Sequence, residues 1–96
     1  MSMMVYFVHK PDGTKLTLRK TKPLTLAEMQ KLVEGYIEMY TIGLQTFVFN
    51  EEGLLKKLPV NKMYPWLVGT VIRGKLVNGE FVGFEEVLRG SEKVNI

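Results

Sequence analysis

Apolar residues recur at helical spacing in one short stretch of this 96-residue chain, while most of the rest alternates at the period of a β-strand. Leu26, Met29, Leu32 and Val33 lie three and four residues apart, which gathers them on one face of a helix with Glu28, Gln30 and Lys31 turned away. A single helix can bury such a stripe only against another element, and the elements on offer are strands. The expected fold is therefore α+β: a mixed or mainly antiparallel sheet of five to seven strands with one principal helix packed on one face.

The turn chemistry divides the strands. Met3 to His9 is rich in β-branched and aromatic residues, Pro11-Asp12-Gly13 is a turn signal, and Lys15 to Arg19 alternates, so the first unit reads as a hairpin that Pro23 closes. Thr25 and Glu28 have the spacing of a capping box, which starts the helix, and Gly35 is the expected C-terminal cap. Beyond it Tyr36, Glu38 and Tyr40 alternate with Ile37, Met39 and Thr41, and Thr46 to Asn50 forms the next strand. Glu51-Glu52-Gly53 is expected to turn that strand into another over Leu54 to Leu58, with Gly53 at a positive φ. Asn61 to Tyr64 reads as a turn or one helical turn, and in the stretch that starts at Trp66 the residues Val68, Thr70-Val71-Ile72 and Leu76-Val77 favour extended structure. Asn78-Gly79 is the strongest hairpin signal in the chain, with Glu80 to Phe84 returning beside it. Glu85 to Leu88 reads as a helical turn or a ragged strand, and from Ser91 onward the chain is polar enough to fray.

At 11.0 kDa the chain builds one modest core, and a single domain over 1–96 is expected. It contains no cysteine, so disulfides, thiolate nucleophiles and thiolate-ligated metals are excluded. One histidine, His9, cannot make a histidine-rich zinc site, and it reads as a polar position on a half-buried strand. No run approaches the ~18 apolar residues of a membrane span, and Met1 to Val8 lacks the basic start of a signal peptide, so a cytoplasmic protein without membrane association is expected.

Several constellations fall short of a defined chemistry. Gly69, Gly74, Gly79 and Gly83 are separated by strand-like residues and do not form a phosphate loop; they suggest bends or bulges. Asn50, Glu51 and Glu52 are oxygen donors without the spacing of a calcium loop, and no metal site or cofactor is expected. Phe47 and Phe49 read as core. The net charge of +3 includes two basic clusters, Lys10, Lys15, Arg19, Lys20 and Lys22, and Lys56, Lys57 and Lys62; if they shared a face they could meet phosphates, with Arg19, Lys20, Lys22, Lys56, Lys57 and Lys62 as the contacts.

The middle of the chain resembles a known family. Leu32-Val33-Glu34-Gly35-Tyr36-Ile37-Glu38, Phe49-Asn50-Glu51-Glu52-Gly53, Leu58-Pro59-Val60-Asn61 and Val68-Gly69-Thr70-Val71, in that order, look like a family of small uncharacterised domains found largely in bacteriophages, plasmids and their hosts. The resemblance covers about residues 25 to 75 and supplies no reaction. The Tyr64-Pro65-Trp66 segment and the C-terminal hairpin depart from the pattern. It directs attention to Tyr36, Glu38, Asn50, Glu51, Gly53 and Asn61, polar or turn positions where a shallow site can form, and Tyr40 joins them as an aromatic on the face of Glu38.

The leading functional reading is a non-enzymatic accessory protein of mobile-element type, a homodimer through edge-strand pairing, that binds a host protein or a small nucleotide-like ligand. A nucleic-acid-binding protein using the two basic clusters is the second reading. A small enzyme carried by Glu38 with a tyrosine is the third.

Overall fold

The computed structural model describes residues 2–87. Among these residues seven strands form one antiparallel sheet: β1 (Ser2–His9), β2 (Lys15–Lys20), β3 (Ile37–Ile42), β4 (Gln45–Asn50), β5 (Val71–Val77), β6 (Glu80–Val82) and β7 (Phe84–Val87). The main order is β2-β1-β5-β4-β3, with β6 paired to β5 and β7 to β1. Every pairing is antiparallel, as the turn-rich alternating sequence predicts. Asn78 and Gly79 both take positive φ (52° and 80°) between the paired Val77 and Glu80, the mirror-image turn expected of that dipeptide. Phe84 onward is strand, so the extended alternative holds up to Val87; Leu88 and the residues from Ser91 lie outside the described residues.

The single described helix, α1 (Leu26–Val33), starts on the capping box read from the sequence. Glu28 N–H donates to Thr25 Oγ1 at 3.1 Å, and the Glu28 carboxylate accepts from Thr25 N–H at 2.9 Å. Met29 and Val33 face the sheet and join Tyr6, Val8, Leu24, Val48, Ile72 and Phe81 in the main core. Tyr6 is fully buried, and its hydroxyl accepts a 3.0 Å bond from Leu24 N–H, which anchors the chain just before the helix. The opposite face of the sheet carries a second cluster, Phe47, Leu67 and Val71, with Phe49 and Tyr64 packed against it. Phe47 is thus core and Phe49 lines its margin.

Three local expectations are corrected. First, Glu34 and not Gly35 takes the left-handed conformation at the helix end (φ 64°, ψ 40°). Gly35 is required for a different reason: a Cβ there would lie 2.6 Å from Asn50 Nδ2. Second, the strand expected over Leu54 to Leu58 does not form. Residues 51–57 coil through successive turns, with Lys56 N–H donating to Glu52 O at 2.9 Å and Leu58 N–H to Gly53 O at 3.0 Å. These local bonds use the backbone groups that a ladder would need, and Leu54 and Leu55 are left exposed. Third, the positive φ falls at Lys57 (56°) and not at Gly53, whose missing Cβ instead leaves room for Val68, 2.7 Å away from where it would stand.

Candidate functional site

β3 and β4 present Glu38, Tyr40 and Phe49 on the face opposite α1, because Glu38 pairs with Phe49 and Tyr40 with Phe47 in register, and paired residues share a face. The turns after β4 bring Glu51, Gly53 and Leu54 to one side of these residues. The segment before β5 brings Trp66, Leu67 and Val68 to the other. Together they line an open cleft of about 400 Å³.

The cleft is shaped by aromatic rings in edge-on contact. Trp66 meets Tyr40 with centroids 5.9 Å apart and Phe47 at 5.4 Å, and Phe47 also meets Tyr64 at 5.0 Å. Phe47 is buried, while Tyr40 and Trp66 stay about half exposed, at 55% and 51%. The rings are therefore braced from below and open above. Glu38 and Glu51 supply two carboxylates, and among the described residues no lysine or arginine lines the cleft. A site with ring faces and negative charge suits a cationic group on an apolar stem, since a cation is attracted by both.

Five of the seven candidate binding residues, Glu38, Tyr40, Asn50, Glu51 and Gly53, line this cleft. Their parts differ. The Asn50 side chain turns to the helix, donating to Val33 O at 3.0 Å and Glu34 O at 3.2 Å and accepting from Glu52 N–H at 2.7 Å. Gly53 serves packing. Tyr36 lies outside the cleft and is 65% exposed. Asn61 is fully buried elsewhere: it donates to His9 O and Gly69 O and accepts from the backbone N–H of Met63 and Tyr64, which uses its whole amide. Leu54, Trp66, Leu67 and Val68 are cleft residues that sequence reasoning missed, and Phe49, read as core, also lines it. The signal for Trp66 was a large aromatic ring in a short segment beside a proline, with no strand register to bury it.

The basic candidates do not all share one face of the sheet. Lys20 points to the helix side, bonded to Glu28 at 2.8 Å, while Arg19, its neighbour along the strand, turns the other way to Glu86 at 2.9 Å. Lys56 is 3.7 Å from Glu52. Lys62 N–H is bonded to Pro11 O, and Lys22, Lys57 and Lys62 are exposed. A larger groove of about 760 Å³ on the helix side is floored by Leu16, Leu18, Leu24 and Leu32 and edged by Lys10, Lys20 and Lys31. Of the basic candidates it holds Lys10 and Lys20, the latter bonded to Glu28, whereas five of the candidate binding residues line the aromatic cleft.

His9 is buried beneath the cleft-side cluster, edge-on to Tyr64 at 4.9 Å, and is 1% exposed where a half-buried position was expected. Its Nε2 accepts from Arg73 Nε at 3.3 Å. Burial first, and then the charges of Arg73 and Lys15, push its pKa down to about 4, so the ring is neutral at pH 7. Among the described residues no three or more His, Asp or Glu side chains group so as to hold a metal ion, and no helix is long and apolar enough to cross a membrane.

These features define a small α+β domain: one antiparallel sheet, one helix on one face, and an open aromatic cleft on the other. The chain belongs to the DUF3846 family, a domain of unknown function, which it matches over residues 4–89. No curated protein matches it. No solved structure matches it either.

Proposed function

We propose that this chain, as one domain over residues 1–96, is a non-enzymatic binding module of the accessory kind carried by phages and other mobile elements. Its cleft takes a lysine or arginine side chain presented by a host protein. The observation that carries this reading is the pairing of two half-exposed rings, Tyr40 and Trp66, with two carboxylates, Glu38 and Glu51, in a cleft that no lysine or arginine among the described residues lines. A free nucleotide fits less well, because its phosphates would meet the carboxylates. Nucleic-acid binding has less support, since Arg19 and Lys20 face opposite sides of the sheet and both are ion-paired.

Trp66 is the only tryptophan of the chain, so its fluorescence reports directly on the cleft. Titration with N-acetyl-arginine amide and with tetramethylammonium should give a saturable change that weakens in Glu38→Gln, while adenosine monophosphate should give none. A response to the nucleotide that survives Glu38→Gln, with none to the cations, would reverse the assignment. Salt-sensitive retention on DNA that leaves Trp66 emission unchanged would favour the basic clusters instead.

A further inference from the structure

β2 and β3 close the two ends of the main sheet order, and they are protected unequally. β2 carries Lys15, Arg19 and Lys20, the kind of charge that keeps an edge from pairing with another chain. β3, Ile37-Glu38-Met39-Tyr40-Thr41-Ile42, has no lysine, arginine or proline, and Met39, Tyr40 and Ile42 are exposed at 39%, 55% and 50%. The hydrogen-bond phase of this edge follows from one contact. Tyr36 O accepts from Glu51 N–H at 2.9 Å, and Ile37 pairs with Asn50. In an antiparallel ladder the bonded residues alternate, so Tyr36, Glu38, Tyr40 and Ile42 bond inward to β4. The backbone groups of Ile37, Met39 and Thr41 therefore point outward from the edge.

We propose that β3 pairs with β3 of a second copy of this chain, antiparallel, with Met39 on the twofold axis. A twofold axis perpendicular to the joined sheet keeps every side chain on its own face, so the axis must pass through a residue and not between two. Of the symmetric registers, only the one centred on Met39 engages all three outward residues within the strand: Met39 with itself and Ile37 with Thr41. A Tyr40 centre would bring Gly43 of the turn opposite Ile37. In the Met39 register Glu38 stands across from Tyr40 of the second copy on the cleft face, and no like charges oppose each other. Each cleft then runs into its twin across the axis, and the second copy's Tyr40 flanks Glu38. This deepens the binding proposal by giving it a symmetric, two-headed site, but the dimer does not depend on what the cleft binds.

The absence of cysteine makes the register directly testable. Light scattering should give twice the 11.0 kDa chain mass for the unaltered protein and the single-chain mass for Met39→Lys, which places two like charges at the axis, with the circular dichroism spectrum unchanged. Among single-cysteine variants oxidised at equal concentration, Met39→Cys should form the disulfide dimer, and Glu38→Cys and Tyr40→Cys should form at least tenfold less. A monomeric unaltered protein, a dimer that survives Met39→Lys, or preferential cross-linking at Glu38→Cys or Tyr40→Cys would overturn the proposal. Trp66 titration of monomeric Met39→Lys separates the two readings, because cation binding there persists if the cleft assignment is right and the dimer alone is disturbed.

Discussion

The Asn61 amide donates to the backbone carbonyl of His9 at 3.0 Å across a separation of 52 residues, and the same nitrogen reaches Gly69 O at 2.9 Å. Asn61 Oδ1 meanwhile accepts from Met63 N–H and Tyr64 N–H, so one side chain ties the end of β1 to the segment that carries Tyr64 and Trp66. Asn61→Ala leaves buried carbonyls and amides without partners, each worth ~1–3 kcal/mol when unmade. A loss of about 3 kcal/mol in urea denaturation is expected. Asn61→Asp keeps the acceptor half but sets a carboxylate oxygen against two carbonyls, and should be at least as damaging at pH 7.

Stability should fall as pH drops through the range in which histidine normally titrates. The folded-state pKa of His9 is held at about 4 against an ordinary 6.5. The unfolded chain therefore binds the proton first: the contribution is complete above pH 6.5 and is lost progressively as the pH falls toward 4, by up to about 1.4 kcal/mol per unit. The groups that face His9 are the cation Arg73, the nearby Lys15 and the ring of Tyr64, and among the described residues no carboxylate partners its ring. Thermal melts at pH 7.0, 6.0 and 5.0 should show a decline in the unaltered protein that is flatter in His9→Gln. Equal slopes would show that the ring is not held neutral.

Backbone fit at Gly35 sets a third expectation. A Cβ at this position would stand 2.6 Å from Asn50 Nδ2, which is fixed by its bonds to Val33 O and Glu34 O at the helix end. Because the amide cannot withdraw without releasing those carbonyls, Gly35→Ala should destabilise by about 2 kcal/mol, in the range of overpacked interiors. If conformational freedom at the helix cap were the reason for glycine, the sensitive position would instead be Glu34, the residue that is left-handed. Glu34→Gly should accordingly be tolerated or mildly stabilising, and paired chemical denaturation of the two variants checks this.

Features written in local chemistry were legible in the chain. The capping box at Thr25 and Glu28, the Asn78-Gly79 turn and the alternation of β2 and β3 depend on neighbours within a few residues. Local signals failed where a distant group decided the outcome. Nothing near Gly35 announces Asn50, and nothing near Gly53 announces Val68. The Glu51-Glu52-Gly53 step resembled a hairpin turn because turn residues at a strand end look alike whether the chain then pairs or coils. The site was partly legible for the same reason. Glu38 and Tyr40 sit where strand register places them, whereas Trp66 reaches the cleft only through the packing of Phe47 and Tyr64. Asn61 was conspicuous because asparagine fixes turns, and its long-range bonds then account for its burial.

Trp66 and Phe47 should separate binding from folding. Their rings touch at 5.4 Å, yet Phe47 is 4% exposed within the second core cluster and Trp66 is 51% exposed at the cleft. Truncating the buried ring opens a cavity under β4 and should cost about 3–5 kcal/mol in Phe47→Ala. Trp66→Ala removes a wall that water already reaches, so about 1 kcal/mol is expected from the area it covers. Denaturation followed by circular dichroism gives both stabilities without using tryptophan emission. Calorimetric titration with N-acetyl-arginine amide should then show heat lost in Trp66→Ala while its folded signal persists. A Trp66→Ala protein that unfolds as readily as Phe47→Ala would instead make the ring part of the core, and the cleft would lose its chief wall as a binding feature.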